Sequence, residues 1–404
     1  MRTHPRRTRT IPLEQDQGRQ SPRPQAHHAA IQDQTLRAGI ERPSTFNTRY
    51  FVEVLTNKES EMISKKETWF VSVCLAIGCA AAFAARPEDP VTETEPLPFV
   101  EGSFTIAVMP DTQGYAEYFP DIFEAQTRWI AENTKKRNIV FVLHLGDITD
   151  DNNEAQWTVA KEAMSRLDGV VPYAMCLGNH DLGSNGSTDT RETLFNVHFP
   201  LAKYKDLPTF GGVFDGEPDR LDNSCHLFSA GGRDFVVLAL EFAPRDAVVE
   251  WAGRMLKKHA DRWAILITHA YLYSDDTRYD WAAKGPKQMW NPHAYRAAKE
   301  PGQGNDGEEL WAKLLSNYPK MLFVINGHVL NDGLGRLESA GKAGNTVHQM
   351  LVNFQMKAKL GGGFLRLMEF LPDGQTVHVK DYSPVSDRYK DGPDNIFTLK
   401  IPAP

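Results

Sequence analysis

Six short apolar runs separated by amphipathic segments constrain the fold of this chain more than any other feature. Each run has six or seven residues, the length of a buried strand, and the segments between them have helical periodicity. This alternation predicts an α/β fold whose strands are buried on both faces. The runs lie at residues 104–109, 139–145, 171–177, 235–240, 263–268 and 321–326, and the helical segments lie at 123–136, 154–166, 247–259 and 307–318.

The end of the chain predicts a β-hairpin. Residues 364–371 and 376–382 are strand-like, and a turn signal of Pro372, Asp373 and Gly374 separates them. We expect this C-terminal hairpin to lie at a sheet edge and to belong to one domain over residues 101–404. The composition of the 404-residue chain, 41% hydrophobic and 24% charged, is that of a globular protein.

The beginning of the chain differs in composition from the rest. Residues 1–61 are rich in Arg, Gln, Pro and Thr and have little apolar periodicity, which predicts disorder. Residues 62–84 contain Lys65 and Lys66, then an uncharged apolar run and an Ala-Phe-Ala exit, an order typical of a signal peptide. We interpret Met62 as the true start and residues 1–61 as upstream sequence from a misassigned start codon. The alternative is a long extension before a buried or membrane-anchoring helix.

A signal peptide predicts export to the periplasm or the extracellular space. Residues 85–100 are rich in Pro and Glu and predict a linker, and the mature chain carries no stretch long enough to span a membrane. An alternative reading of the "AIGC" stretch as an imperfect lipobox would attach a lipid at Cys79. Only Cys176 and Cys225 lie beyond this segment, which excludes a framework of disulfides.

Five of the six apolar runs end in a small cluster of polar residues. In open α/β sheets, ligands bind beyond the carboxyl ends of the strands, so we expect these clusters to converge. Carboxylate, amide and imidazole side chains without cysteine indicate a divalent-metal site rather than a structural zinc site. The polar residues are Asp111 and Gln113, Asp147 and Asp150, Asn179 and His180, then His269, and finally His328.

Each cluster alone has a simpler explanation. An Asp after a strand is commonly a helix N-cap, and a lone His is commonly a hydrogen-bonded residue of the core. A metal site is favoured by the order of the clusters, each of which follows an apolar run. The order is D-x-Q, G-D-x-x-D, G-N-H-D, H and G-H.

These motifs resemble those of the calcineurin-like metallophosphoesterases, which include purple acid phosphatases, cyclic nucleotide phosphodiesterases and some nucleases. The resemblance covers residues 104–332, and G-D-x-x-D and G-N-H-D are its most specific parts. It implies a four-layer αββα sandwich of two mixed sheets flanked by helices, with two metal ions at the strand ends. The variants "DTQ" and "GHVLNDG" look like those of a subgroup of exported bacterial members.

The resemblance also implies a role for each polar residue. His180 would approach the leaving-group oxygen, steadied by Asp150, and would not bind metal. The ions would be divalent or trivalent, with manganese, iron and zinc all open. The implied ligands are Asp111 and Gln113 for one ion, Asn179, His269 and His328 for the other, and Asp147 as the bridge between them.

Elementary chemistry supports these roles. Two cations about 3.5–4 Å apart lower the pKa of a bridging water and neutralise phosphoryl charge, and a nearby imidazole can donate a proton to the departing oxygen. We therefore expect metal-dependent hydrolysis of a phosphate ester by metal-bound hydroxide, with His180 assisting the leaving group. Monoester and diester substrates both stay open. Asp181 is expected to cap the turn that follows it.

Two departures from the family pattern weaken one metal site. The family usually has His in place of Gln113 and G-H-x-H where this chain has "GHVL", so Leu330 replaces a ligand. Asn331 or His348 could substitute, or water or substrate could fill the position. The alternative function is a catalytically degenerate extracellular binding or scaffold protein with the same fold.

The charge of the chain bears on its partners, and several further residues have two interpretations each. The net charge of −7 and the lack of a basic, aromatic-interleaved track argue against a nucleic-acid partner. His144 is interpreted as a core residue or a support for the ligands. Arg245 could meet phosphate or form a surface ion pair. The aromatic residues of the 271–295 segment could line a substrate pocket or pack the loop; they are Tyr271, Tyr273, Trp281 and Trp290.

Overall fold

The computed structural model describes residues 90–404, which form two mixed β-sheets flanked by helices. The helices of this region are α1 (Gln113–Tyr118), α2 (Pro120–Asn133), α3 (Glu154–Met164), α4 (Phe195–His198), α5 (Asp246–Lys258), α6 (Trp281–Lys284), α7 (Gly307–Lys313) and α8 (Ala358–Gly361). The strands are β1 (Val91–Thr92), β2 (Phe104–Met109), β3 (Ile139–His144), β4 (Tyr173–Met175), β5 (Phe210–Val213), β6 (Ser224–Ala230), β7 (Arg233–Ala239), β8 (Trp263–Ile267), β9 (Met321–Asn326), β10 (Leu334–Ala340), β11 (Thr346–Val352), β12 (Leu365–Phe370), β13 (Thr376–Ser383), β14 (Arg388–Lys390) and β15 (Ile396–Lys400).

The first sheet has eight strands in the order β1-β14-β13-β12-β2-β3-β4, with β15 paired to β13. Strands β2, β3 and β4 are parallel to one another, whereas β12 runs antiparallel to β2. The carboxyl ends of the three parallel strands therefore lie at one end of this sheet.

The second sheet has seven strands in the order β10-β11-β9-β8-β7-β6-β5. Strands β7, β8, β9 and β11 are parallel, and β10, β6 and β5 join the sheet by antiparallel pairing. The loops after β8 and β9 thus leave neighbouring strands at the same end of the second sheet.

Alternate side chains of the central strands face two different buried layers. Ile106 of β2 belongs to a cluster between the sheets that also contains Val237 of β7. Its neighbour Ala107 belongs to a second cluster, which includes Phe123 of α2 on the first sheet and Trp251 of α5 on the second. Each sheet is therefore covered by helices on its outer face, and the architecture is the expected αββα sandwich.

Local hydrogen bonds set the starts of two helices. Asn153 caps α3, where its side chain accepts a hydrogen bond of 3.0 Å from the backbone N–H of Gln156. Asp306 and Glu309 form a reciprocal capping box at the start of α7. These caps satisfy backbone donors that the first helical turn leaves without partners.

All six predicted strands are present, and the predicted helices correspond to α2, α3, α5 and α7, with ends shifted by a few residues. The C-terminal hairpin is also present as β12 and β13. Its predicted place at a sheet edge is wrong, because β12 pairs with β2 in the middle of the sheet and β13 pairs with both β14 and β15. Alternating apolar side chains do not distinguish a central hairpin from an edge hairpin.

The expected linker over residues 85–100 needs correction from Pro90 onward. Strand β1 pairs with β14, and Glu95 forms ion pairs with Arg137 at 2.7 Å and with Lys380 at 2.8 Å. The acidic residues of this segment thus attach it to the first sheet. The predictions for residues 1–61 and 62–84 lie outside the described residues. Among residues 90–404, no helix is both long and apolar enough to cross a bilayer.

Candidate metal centre

The polar clusters predicted from the sequence meet at one end of the sandwich. Parallel strands β2, β3 and β4 of the first sheet and β8 and β9 of the second each lead into a loop with one cluster. Contacts between the loops after β2, β3, β8 and β9 join the two sheets here. The site therefore lies where ligands gather in α/β folds, beyond the carboxyl ends of the strands.

Asp147, in the loop after β3, lies at the centre of the site. Its Oδ1 lies 3.1 Å from Nε2 of His269 and accepts a hydrogen bond of 3.0 Å from the backbone N–H of His180. Its Oδ2 accepts a hydrogen bond of 3.0 Å from Nε2 of Gln113. One buried carboxylate thus connects its own loop with the loops after β2, β4 and β8.

Asp111 and His328 extend this arrangement to the loop after β9. Oδ1 of Asp111 accepts a hydrogen bond of 3.0 Å from the backbone N–H of His328 and lies 3.8 Å from Nε2 of His269. One ligating atom each of Asp147, His269 and His328 lies within 4.8 Å of the others, close enough to share an ion. All these side chains are buried.

Three buried oxygen atoms of the site have no hydrogen-bonding partner: Oδ2 of Asp111, Oε1 of Gln113 and Oδ1 of Asn179. Nε2 of His269 has its 3.1 Å contact with Asp147. Buried polar atoms are normally paired, because leaving one unpaired costs about 1–3 kcal/mol. Carboxylate and amide oxygens and imidazole nitrogens are all metal ligands. The residues present therefore fit the cations that the fold family implies.

The hydrogen bonds of the two histidines determine which ring atom faces the site. Nδ1 of His269 donates to the Leu145 carbonyl at 2.7 Å, which leaves Nε2 for a ligand. Nε2 of His328 donates to the Trp290 carbonyl at 2.8 Å, which leaves Nδ1. Such second hydrogen bonds fix the tautomer and orientation of metal-binding histidines.

The buried charges act strongly on one another. Burial raises the pKa of Asp111 to about 7, an effect that His269 opposes and Asp147 reinforces. Although burial raises the pKa of Asp147, the charges of His269 and His180 lower it below its usual range. Burial disfavours the charged form of His269, but Asp147 raises its pKa to about 9. Cations would neutralise the two carboxylates that share this space.

Two glycines allow the loops to approach closely. A Cβ atom at Gly178 would overlap the carboxylate of Asp147, and a Cβ atom at Gly327 would overlap the carboxylate of Asp111. Glycine is thus required at these positions because there is no space for a Cβ atom, and not because the backbone conformation demands glycine.

His180 lies beside Asp147 and is only partly buried, with 36% of its side chain exposed. Its Nδ1 donates to the backbone carbonyl of Asp150 at 2.8 Å and lies 3.3 Å from Oδ1 of the Asp150 side chain. This contact leaves Nε2 available to a ligand. Desolvation disfavours the charged ring, but Asp147 and Asp150 outweigh it and raise the pKa of His180 to about 10.

Asp181 has a structural contact that the sequence analysis missed. The sequence predicted that it caps the turn that follows it. Its carboxylate instead accepts hydrogen bonds from the backbone of Gly178 at 2.9 Å, from the backbone of Ile148 and from the backbone and hydroxyl of Thr149, at 2.8–3.1 Å. All three donor residues precede Asp181, so the predicted cap is wrong. Asp181 therefore ties the loop after β4 to the loop after β3.

His144 and Thr112 form a second support. The sequence analysis interpreted His144 as a core residue or a support for the ligands, but did not predict its contact with Thr112. The Gly146 backbone donates to Nδ1 of His144 at 3.3 Å, so Nε2 carries the proton and donates to the Thr112 hydroxyl at 3.0 Å. Thr112 donates in turn to the Ile148 carbonyl at 3.3 Å, and its backbone N–H bonds to the Asp147 carbonyl. A buried His two residues before Gly-Asp was the available signal.

The replacements considered for the missing ligand at Leu330 lie elsewhere or are held by other groups. His348 is on β11 opposite Phe323, near the start of β9, and its ring bonds to the Lys400 carbonyl. It cannot reach the loop after β9, because that loop lies at the other end of the strand. Asn331 donates through its amide to Ser274 at 2.7 Å.

Two of the aromatic residues after His269 pack the loop, and a pocket role for the other two stays a prediction. Tyr271 and Tyr273 are buried and pack the loop, and the Tyr271 hydroxyl donates to Gln349. Trp281 is exposed, and Trp290 contributes its carbonyl to His328. Arg245 forms ion pairs with Glu241 and Glu217, as the ion-pair interpretation expected.

Comparison with known proteins finds relatives over most of the described region. A protein of Bacillus subtilis strain 168 called YvnB, itself described as uncharacterized, is 31% identical over 312 residues. The match spans 76% of this chain but only 22% of that relative.

Solved structures give weaker matches. Purple acid phosphatase PPD1 from yellow lupin matches with a TM-score of 0.45 and 14% identity, over 76% of this chain and 55% of that one. GAP50, described as the anchor in the inner membrane complex of Plasmodium, matches with a TM-score of 0.40 and 11% identity, over 75% and 90% of the two chains.

The family assignment rests on the sequence. The sequence model of the calcineurin-like phosphoesterases matches residues 104–332, from the start of β2 to the loop after β9. This range contains every residue of the candidate metal centre described above. The chain is a member of the calcineurin-like phosphoesterase family.

Proposed function

We propose that this chain is a metal-dependent hydrolase of phosphate esters, acting at the centre around Asp147. The observation that carries this proposal is the set of three buried oxygen atoms without hydrogen-bonding partners, contributed by the loops after β2 and β4. Family membership supports the same class of reaction.

The site residues divide into two candidate ligand sets. Asp147 would be shared, because its two carboxylate oxygens contact both sets. Cations bound here would supply an activated water and neutralise the charge on the phosphoryl oxygens. The candidate ligands are Asp111 and Gln113 on one side and Asn179, His269 and His328 on the other.

The protein itself would contribute the proton for the leaving group. His180 is partly exposed, and its contact with Asp150 fixes the ring so that Nε2 can face a ligand. A protonated imidazole in this position can donate to the departing oxygen of the ester. Asp150 would act through His180, as a positioning residue.

The proposal can be tested with the purified chain, manganese, iron or zinc, and p-nitrophenyl phosphate and bis-p-nitrophenyl phosphate. We expect hydrolysis of at least one substrate, a fall of about 100-fold or more in the Asp147→Asn variant, and unchanged rates in Asp121→Asn, which changes an exposed carboxylate on α2. Inactivity with every metal, or equal activity of the Asp147→Asn variant, would overturn it.

A second candidate function is favoured by one observation. Leu330 occupies the position of a family ligand, and Gln113 already donates to Asp147, so one cation would be held weakly. The chain would then be a binding or scaffold protein that retains the fold. Fewer than one ion per chain, together with no hydrolysis, would distinguish this function from the first.

We also propose that the chain is exported, with residues 62–84 as its signal peptide. The support is the order of Lys65, Lys66, the uncharged run and the Ala-Phe-Ala exit. N-terminal sequencing of the protein from its native host tests this. A start near residue 85 is expected, a lipid on Cys79 would indicate anchoring instead, and an N-terminus within residues 1–61 would contradict export by this route.

A further inference from the structure

A short segment after β8 reaches from one candidate ligand to another. At its start, the Trp290 carbonyl accepts the hydrogen bond from His328 at 2.8 Å. Near its end, the Ala297 backbone donates to the Thr188 carbonyl at 3.1 Å, and the Thr188 hydroxyl donates to the Asn179 carbonyl at 2.5 Å. Residues 290–297 therefore extend along the side of the site formed by Asn179 and His328.

Tyr295 lies within this segment, between two 3-10 turns at Pro292–Ala294 and Arg296–Ala298. Its ring packs edge-on against Phe242, with centroids 4.9 Å apart, and lies 6.1 Å from the ring of His328. Phe242 in turn packs against His269 at 6.1 Å. The ring of Tyr295 thus rests on the aromatic wall beside the metal centre.

The hydroxyl of Tyr295 forms no hydrogen bond with any residue that the structure describes, and the side chain is only partly buried. Tyr279 shows the contrast, because its ring is also 6.1 Å from His328 but its hydroxyl donates to the Met289 carbonyl at 2.9 Å. The Tyr295 hydroxyl is not one of the buried unpaired atoms of the described region, so it is open to solvent. A polar group left without a partner at the edge of an active site is available to a ligand.

A phenol such as that of Tyr295 carries one O–H donor, which an anionic phosphoryl oxygen can accept.

We propose that the Tyr295 hydroxyl donates a hydrogen bond to a phosphoryl oxygen of the substrate. This inference rests on the proposed function and adds a substrate-binding residue to it. Tyr295 forms no covalent bond and transfers no proton. Its hydroxyl would instead stabilise charge on the oxygens of the phosphoryl group, as fixed donors do in other active sites.

The test compares Tyr295→Phe, which removes only the free hydroxyl, with Tyr279→Phe, which removes a bonded hydroxyl at the same distance from His328. For each variant, kcat/KM, the inhibition constant of inorganic phosphate, metal content and the melting temperature are measured on the metal-loaded protein. A hydrogen bond to a charged group predicts a fall of about 10- to 100-fold in kcat/KM for Tyr295→Phe. The phosphate inhibition constant should rise, whereas metal content and melting temperature should not fall.

Tyr279→Phe should show the opposite result, with a lower melting temperature and nearly unchanged kcat/KM. If the wild-type protein is active and Tyr295→Phe has the same kcat/KM, the role of Tyr295 is overturned and the proposed function is left intact. A fall in kcat/KM that follows loss of metal or of stability would also overturn it, because the hydroxyl would then be structural. Inactive, metal-loaded wild-type protein would instead refute the proposed function itself.

Discussion

Gln113 donates a hydrogen bond of 3.0 Å through its amide nitrogen to Oδ2 of Asp147, while its amide oxygen has no partner among the described residues. The amide therefore has one end on the central carboxylate and the other free for a cation. With this geometry Gln113 would bind a cation through its amide oxygen and orient Asp147 through its amide nitrogen.

The Gln113→Leu variant should bind metal more weakly. Leucine removes the amide oxygen and leaves Oδ2 of Asp147 without its donor, so both the ligand and the orientation of the carboxylate are lost. We expect the affinity of the weaker metal site to fall about 10- to 100-fold, the effect of losing one supporting contact to a metal ligand. Isothermal titration calorimetry of the metal-free protein with manganese or zinc measures this affinity.

Gln126→Leu is the matched control. Gln126 is fully buried on α2, donates through its amide nitrogen to the Phe364 carbonyl, and also has an amide oxygen without a partner. This variant should lose stability but bind metal like the wild type. Equal metal affinities of the Gln113 and Gln126 variants would contradict a ligand role for Gln113.

Thr112→Val should loosen the support under Asp147. Valine preserves the shape but removes the hydroxyl that accepts from His144 and donates to the Ile148 carbonyl. The buried N–H of His144 then lacks an acceptor, which costs about 1–3 kcal/mol in the free energy of unfolding. Chemical denaturation of metal-free protein measures this loss, and a lower metal affinity should accompany it because the loop of Asp147 is less well held.

Thr112→Ser should restore both quantities, since serine supplies the same hydroxyl. Thr127→Val removes another buried hydroxyl, which bonds only to carbonyls of its own helix at 3.2 and 3.3 Å. It should leave the metal affinity unchanged. If the Thr112 and Thr127 valine variants bind metal equally well, the hydroxyl of Thr112 does not position the site.

The sequence predicted the central part of this fold because apolar runs and polar strand ends are local signals. Strands β2, β3, β4, β7, β8 and β9 all have such runs, and the family motif follows five of them. The register of neighbouring strands then brings residues more than 200 positions apart into contact, as Asp111 and His328 show. The apolar runs and the polar residues at their ends were therefore sufficient to predict the central strands and the loops that meet there.

The remaining parts depend on partners that a single sequence does not identify. Asp181 looks like a turn cap, and only the fold brings Thr149 within 2.8 Å of its carboxylate. Tyr295 has no distinguishing neighbours in sequence, and its place beside His328 depends on the path of a long loop. The position of the β12–β13 hairpin is likewise set by pairing with β2 and not by its own residues.

Acid should destabilise the protein in part through His226, which is buried on β6 and 3.0 Å from the Ser224 hydroxyl. Burial lowers the pKa of His226 to about 4, against about 6.5 in the unfolded chain. Between these values the unfolded state binds a proton that the folded state does not. The free energy of unfolding should therefore fall as the pH drops from about 6.5 to 4, by about 3 kcal/mol from this group.

The His226→Gln variant should lack the part of the pH dependence of stability that comes from His226. Urea denaturation of both proteins at several pH values between 7 and 4 gives the two profiles. The difference in stability between them should change by about 3 kcal/mol across that range, with the wild type losing more on acidification. Parallel profiles would show that His226 is protonated as readily in the folded protein as in the unfolded chain.

Replacement of Gly178 by alanine should disrupt the metal centre through simple overlap. The added methyl group would occupy the space of the Asp147 carboxylate, so that either this carboxylate or the loop after β4 must shift. Forcing one extra carbon into a tightly packed site costs about 1–3 kcal/mol, and here the displaced group is the candidate bridging ligand. We expect lower stability, weaker metal binding and loss of hydrolysis together.

Gly253→Ala provides the comparison, because Gly253 lies inside α5 and an added methyl group would meet only Leu314, at 3.6 Å. Alanine is the better helix former by about 0.8–1 kcal/mol, so this variant should be at least as stable as the wild type and bind metal normally. Thermal denaturation and metal titration of both variants distinguish the two effects. A Gly178→Ala protein that keeps its metal affinity would mean that the carboxylate of Asp147 can move aside without leaving its ion, and the close packing of these loops would then not be needed for the site.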